Sequence, residues 1–196
     1  MIEDLFKKNI LIIVFLSIIY NQDNNYYITN NILPLELSKG SFGIKLISDN
    51  SKIFDTYFNH QTWLTNNLSI ASYISPEFDN SIDIAYGFNV GYSSIIENQY
   101  LKNIIYAIGY HCKKYTENKF RLSDLSIKST FKMNNENWVL LSANYLFNNK
   151  GNNQMKNYFS FDYMKLFKNN FIINPGIQLQ NNNRLINYYI GFNYSL

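Results

Sequence analysis

The chain has 196 residues, of which 17% are aromatic and only 16% are charged. Its mean hydropathy is nevertheless −0.23, so the sequence is mildly polar on average. This balance argues against a helical membrane protein and suits a fold with one apolar face and one hydrated face. The net charge of +3 is too small to indicate a nucleic-acid partner.

The N-terminal residues carry the pattern of an export signal. Lys7 and Lys8 precede an apolar run over residues 10–20, which is shorter than the roughly 20 apolar residues of a membrane-spanning helix. We therefore predict a signal peptide over residues 1–20, with an uncleaved anchor as the alternative because no small-residue cleavage pattern follows the run. We expect residues 21–38 to be an N-terminal segment and residues 39–196 to form one domain.

From residue 39 onward the dominant hydrophobic period is two, which predicts β-strands. The clearest stretch, residues 82–93, places Tyr86 and Phe88 on one face and Gly87 and Asn89 on the other. In a membrane barrel the large apolar face contacts lipid, and the small polar face lines a narrow interior. The same alternation recurs over residues 42–47, 67–74, 103–113, 124–133, 139–147, 159–163, 171–180 and 186–196, and residues 52–62 are the expected hairpin partner of residues 42–47.

These stretches predict an all-β fold, a closed antiparallel up-and-down transmembrane β-barrel of roughly ten strands, because single-chain bacterial barrels have even strand numbers. The alternative is about eight strands with an N-terminal plug or cap. Tight connections at residues 134–136 and 168–170, and longer ones at 114–120 and 148–156, indicate short periplasmic turns and longer outer loops. Pro175 lacks a ladder donor and marks an expected bulge.

Individual residues give further expectations. Trp63 and Trp138 are expected in the aromatic girdles at the membrane interfaces. The single cysteine, Cys112, excludes an intramolecular disulfide and falls in the lipid-facing phase. The sequence contains no phosphate loop, zinc spacing or dinucleotide fingerprint, so we expect no cofactor and no metal. The inward phase also carries charged residues that are expected to pair inside the barrel: Lys45, Lys128, Lys132, Asp83, Asp124 and Asp162.

The last eight residues, 189–196, resemble the C-terminal signal that the bacterial barrel-assembly machinery reads. Gly191, Tyr194 and Leu196 match the glycine and the two apolar positions of that signal, although Leu196 replaces the usual terminal aromatic residue. The resemblance implies the architecture of bacterial outer-membrane β-barrel proteins, an outer-membrane location and the assembly machinery as a partner. It indicates no particular family and supplies no function.

A candidate catalytic group lies near the predicted outer rim. Asp83 and His111 are both expected to point inward there, with Ser123 or Asp124 beside them on the next strand. A carboxylate that orients an imidazole next to a hydroxyl is hydrolase chemistry. The lipid A deacylases carry a serine two residues after the histidine, where this chain has Lys113, so that pattern is absent. The alternative is a hydrogen-bonded polar interior without catalysis.

Basic residues are concentrated in the predicted outer loops and strand tops. Such a rim is suited to charge-assisted contacts with the phosphates of lipopolysaccharide, with an ordinary solvated rim as the alternative. The residues are Lys113, Lys114, Lys119, Arg121, Lys150, Lys156 and Arg184.

The sequence thus predicts a non-enzymatic outer-membrane barrel with a structural, adhesive or envelope-maintenance role, whose partners are outer-membrane lipids and lipopolysaccharide. One alternative is a rim hydrolase that uses His111 with Asp83 or Asp124. The other is a soluble, lipocalin-like barrel, in which the apolar faces would point inward around an apolar ligand.

Overall fold

The computed structural model describes residues 32–48, 54–78, 82–114, 119–148, 156–180 and 185–196. The predicted signal peptide over residues 1–20 lies outside these ranges, as do residues 21–31 of the N-terminal segment. Within the described residues no helix is long and apolar enough to cross a membrane. The strands are β1 Gly40–Ser48, β2 Phe54–Trp63, β3 Leu68–Phe78, β4 Ile82–Ile95, β5 Leu101–Lys114, β6 Lys119–Lys132, β7 Asn137–Asn148, β8 Lys156–Leu166, β9 Phe171–Gln180 and β10 Leu185–Ser195.

The strands form a closed antiparallel barrel in which each strand pairs with its neighbour in sequence. The pairing of β1 with β10, from Ser41↔Ser195 to Ser48↔Tyr188, completes the ring. The predicted ten-strand barrel is therefore confirmed. The eight-strand alternative is wrong, because β1 and β2 are both hydrogen-bonded members of the ring.

The strand bounds define the two ends of the barrel. β1 begins and β10 ends at one end, which we call the terminal end, and the turns at 64–67, 96–100, 133–136 and 167–170 lie there too. Asn134 Oδ1 accepts bonds from the backbone N–H groups of Glu136 and Asn137, and Asn170 has a φ of 62°, so asparagine side chains and backbones form these tight turns. The connections at the opposite end, called the distal end, lie outside the described residues.

Large apolar side chains cover the outside of the barrel, and polar side chains fill its inside. Phe88 and Ile108 are 50% and 63% exposed, whereas their chain neighbours Asn89 and Gly109 are buried. Apolar groups therefore face outward along the strands, as the predicted transmembrane barrel requires. The lipocalin-like alternative is wrong, because it needs the apolar faces to enclose a ligand.

The two tryptophans lie inside the barrel and not in an aromatic girdle. Trp63 and Trp138 are 8% and 2% exposed, because both belong to the inward phase of their strands. Trp138 packs in one apolar cluster with Leu33, and Trp63 packs in another with Ile32. The girdle prediction for these residues is wrong.

Residues 32–38 enter the lumen at the terminal end and close it, and we call this segment the plug. Leu33 N donates to Gln61 Oε1 (2.6 Å), and Leu33 O accepts from Gln61 Nε2 (3.1 Å) and Trp63 Nε1 (3.0 Å). Lys128 Nζ donates to Ile32 O at 3.1 Å. These bonds satisfy backbone groups that burial would otherwise leave unpaired, so the plug can remain in a water-poor lumen.

Pro175 interrupts a ladder but does not shift it. The β8–β9 pairs Asp162↔Gly176 and Lys165↔Ile173 share one register, with the ladder broken between them. The expected bulge at Pro175 is therefore wrong, and the missing proline N–H breaks the pairing locally. A register shift occurs instead near Leu101, between β5 and β6.

Candidate functional site

His111 on β5 and Asp124 on β6 form a buried ion pair or hydrogen bond on the inner wall. Gly109 is the register partner of Asp124, so His111 lies diagonally across from the carboxylate. His111 Nε2 and Asp124 Oδ1 are 2.6 Å apart, and the two residues are 4% and 0% exposed. The structure thus brings together two of the four residues that sequence analysis grouped.

A third member of this group, Tyr73 on β3, was not predicted. Its hydroxyl lies 2.8 Å from His111 Nδ1, and the two rings stack with centroids 5.7 Å apart. If Nε2–H donates to the Asp124 carboxylate, Nδ1 is left as the acceptor for the Tyr73 hydroxyl. Both imidazole nitrogens are then engaged in the Tyr73–His111–Asp124 network.

Two glycines make this network possible. Gly87 on β4 lies between Tyr73 and His111 in the register, and a Cβ atom there would be 2.5 Å from Tyr73 Cε1 and 2.7 Å from His111 Nδ1. A Cβ atom on Gly109 would collide with the side-chain oxygen of Asp124. Side chains on alternate strands can therefore meet across these glycines, which explains the small residues of the inward phase.

Asp83 and Ser123 are not brought to His111 by the strand register. His111 pairs with Gly87, and Asp83 lies four residues farther along β4, about 13 Å at the usual strand rise. Ser123 pairs with Tyr110, so it belongs to the outward phase of β6. The side chain of Asp83 lies outside the described parts. The expected proximity of Asp83 and Ser123 to His111 is wrong, because the strand ends do not align as assumed.

A second polar cluster fills the middle of the lumen. Lys45 and Lys128 are 5% and 3% exposed, and each interacts electrostatically with Asp162. Lys45 Nζ also lies 4.1 Å from the centroid of the Tyr189 ring. The cavity between these groups measures about 10 Å³, space for one water molecule.

Lys132 does not join that cluster. It is half-buried near the terminal end, with Nζ 5.5 Å from the centroid of the Trp138 ring. Among the residues that the structure describes, no group of three or more His, Cys, Asp or Glu side chains could hold a metal ion.

The predicted basic rim maps to the distal end wherever the structure describes it. Lys113 and Lys114 end β5, Lys119 begins β6, and Lys156 begins β8. Arg121, two residues into β6 from Lys119, has an exposed side chain. Lys150 and Arg184 lie outside the described residues.

Two residues of the predicted assembly signal, Gly191 and Tyr194, lie on β10, the strand that closes the ring, and Leu196 directly follows it. Gly191 faces inward, where the side chain of Asn174 occupies the space that a larger residue would need. Tyr194 and Leu196 are 43% and 68% exposed on the outer face. Gly191 therefore has a packing role of its own, independent of any recognition during assembly.

The fold resembles that of solved porins. Two structures, a KdgM porin and a KdgM porin in complex with disordered oligogalacturonate, each match with a TM-score of 0.51 and 9% sequence identity. In each case the match covers 80% of this chain and 99% of the porin chain. No protein-family model and no curated protein sequence matches the chain. At this identity the similarity concerns the fold alone.

Proposed function

We propose that the protein is an integral outer-membrane barrel with a structural, envelope-maintenance role, and that its basic distal rim contacts lipopolysaccharide. The observation that carries this proposal is the apolar outer wall around a filled polar lumen. A wall with exposed side chains such as Phe42, Phe88 and Phe159 is stable in lipid and would aggregate in water.

The filled lumen favours a structural role over conduction. The plug closes the terminal end, and behind it the Lys45–Lys128–Asp162 cluster surrounds a cavity of about 10 Å³. The neighbouring folds are named porins, but the cavity at this cluster is too small for a hydrated ion or a sugar. The proposal therefore uses the similarity to these porins for the barrel fold and not for a transport activity.

The distal rim supports the contact with lipopolysaccharide. β1 begins and β10 ends at the terminal end, which we take as the periplasmic end because the chain termini of bacterial barrels usually lie there, so the distal end faces outward. Cationic side chains there would meet the phosphates of the outer leaflet, and charge-assisted hydrogen bonds to phosphate are strong. An adhesive role would depend on the distal connections, which lie outside the described residues.

The β10 strand is consistent with the assembly machinery as a folding partner. Tyr194 and Leu196 present adjacent apolar side chains on the outer face of the closing strand. Before closure, this strand would also offer a free hydrogen-bonding edge to another sheet.

Rim hydrolysis is less well supported. A base must reach a substrate proton, and His111 is only 4% exposed with contacts at both ring nitrogens. The hydroxyl that it contacts belongs to Tyr73, a buried phenol. The network is thus better suited to joining strands than to turning over a substrate.

Fractionation with heat-modifiability tests the proposal. The expressed protein should appear in the outer-membrane fraction and change gel mobility on boiling, because a closed barrel resists detergent until heated. The same preparation, placed in a planar lipid bilayer, should give no steady conductance. A soluble protein without a mobility shift would contradict the membrane assignment, and a large open conductance would contradict the structural role.

A further inference from the structure

An apolar groove of about 680 Å³ crosses the outer wall over strands β3 to β8. Ala143 on β7 is a small exposed residue of the groove lining, and its register partners are Ile127 and Phe159. Those two side chains are 50% and 51% exposed and project on either side of it. The missing bulk at Ala143 therefore leaves a depression between two ridges.

A linear hydrocarbon chain fits such a depression better than a mixture of mobile lipid tails. In a bilayer the surroundings are already apolar, so burial alone gives little driving force and close packing decides which groups associate. Atoms that line an unfilled groove lose dispersion contacts on one side. One extended chain seated over Ala143 would restore them along its length.

Positive charge lies at the right distance above the groove. Leu125, on the groove wall, is four residues from exposed Arg121 on β6, about 13 Å along the strand. Half of a hydrocarbon core is about 15 Å thick, so a chain that hangs from a head group near Arg121 would span the groove.

We propose that this groove binds one acyl chain of lipid A, with a lipid A phosphate held at the level of Arg121. The inference rests on the outer-membrane placement and rim contact proposed above. It adds a defined binding site for the lipid tail, the groove at Ala143, which we call the acyl seat. Both a phosphorylated glycolipid and a zwitterionic phospholipid present similar tails to the groove, so the tails do not discriminate between them. The positive charge of Arg121 favours the phosphorylated glycolipid.

Native mass spectrometry of the detergent-solubilised full-length protein tests this seat. The probes are hexa-acylated bisphosphorylated lipid A, its dephosphorylated form, and phosphatidylethanolamine. Ala143→Phe fills the groove from a position that already faces lipid, so the barrel should fold. Ile44→Phe, on β1 outside the groove and 40% exposed, is the matched control. We expect Ala143→Phe to weaken lipid A binding about tenfold and Ile44→Phe to leave it within about twofold.

The probes separate the groove from the rim. Weaker binding of dephosphorylated lipid A, together with a similar loss in Arg121→Gln, would support the phosphate contact. If Ala143→Phe weakens binding while phosphate and Arg121 make no difference, the acyl seat stands and the proposed rim contact fails. Equal binding by Ala143→Phe and Ile44→Phe would overturn the seat, whatever the rim does.

A second copy of the chain is the competing occupant. If the wild-type protein is dimeric in detergent and Ala143→Phe makes it monomeric without changing lipid A binding, the groove is an interface between copies. That result would overturn the lipid seat.

Discussion

Gly87 lies directly opposite His111 in the β4–β5 register, and its missing side chain leaves the space in which the His111 imidazole meets the Tyr73 ring. The hydrogen bond between Tyr73 and His111 therefore passes over Gly87 on the intervening strand β4 and links β3 to β5. Through Asp124 the connection continues to β6. Four of the ten strands, β3 to β6, are thus linked by this side-chain network as well as by the backbone ladder.

Gly87→Ala should destabilise the barrel. The new methyl group would lie 2.5 Å from Tyr73 Cε1 and 2.7 Å from His111 Nδ1, so the rings must move and their hydrogen bond must lengthen. We expect the free energy of unfolding to fall by about 1–3 kcal/mol, as in overpacked cores. Urea unfolding in lipid vesicles, followed by the fluorescence of buried Trp63 and Trp138, measures the loss.

Gly40→Ala is the matched control for that variant. A Cβ atom at Gly40 would meet nothing closer than Gln61 O at 3.5 Å, which is ordinary contact. Its unfolding midpoint should stay near that of the wild type. Equal losses in the two variants would mean that glycine flexibility, and not the space beside His111, determines stability.

His111 and Asp124 should be energetically coupled. His111→Ala leaves the buried Asp124 carboxylate without its partner, and removing one member of a buried pair costs about 3–5 kcal/mol. Asp124→Asn removes the charge, so the double variant should lose less stability than the sum of the single variants. A double-mutant cycle of urea unfolding measures the coupling, and strictly additive losses would contradict it.

Most of the fold could be predicted from the two-residue hydrophobic period of the sequence. Phe88 and Asn89 differ so strongly in character that their alternation identifies both a strand and its two faces, and the same is true along β5 and β6. The sequence also predicted that His111 and Asp124 lie close together, because a hairpin sets the register of neighbouring strands. Local patterns were sufficient wherever the partners lie on consecutive strands.

The remaining features depend on contacts that no local pattern reports. Tyr73 reaches His111 across an intervening strand, and the available signal was a pair of inward-facing glycines, Gly87 and Gly109. Asp83 was misplaced because sequence alone does not show where one strand ends relative to the next. Trp138 was assigned by residue type, although it shares the inward phase of Leu140 and Ser142, which pointed to the lumen.

Gln61 should hold the plug in place. Its side-chain amide makes two bonds to the backbone of Leu33, so Gln61→Leu leaves a buried N–H without its partner, at about 1–3 kcal/mol. In a Leu33→Cys, Cys112→Ser background, Gln61→Leu should speed maleimide labelling of the new thiol. Gln178→Leu replaces another buried inward glutamine that makes no bond to the plug and should leave labelling slow. Equal rates in the two variants would show that Gln61 does not retain the plug.

Phe88→Arg tests whether the outer wall faces lipid. Phe88 lies in the middle of β4 and is 50% exposed. If its surroundings were water, an arginine there would change the free energy of unfolding very little. In a bilayer the same charge lies near the midplane, where it costs about 2–4 kcal/mol.

The comparison variant is Leu64→Arg, because Leu64 is 54% exposed in a turn at the terminal end, where the charge stays hydrated. Reversible unfolding in lipid vesicles should show a large loss for Phe88→Arg and almost none for Leu64→Arg. Similar small changes in both variants would mean that the wall at Phe88 is hydrated, and the barrel would then not span the membrane at that height.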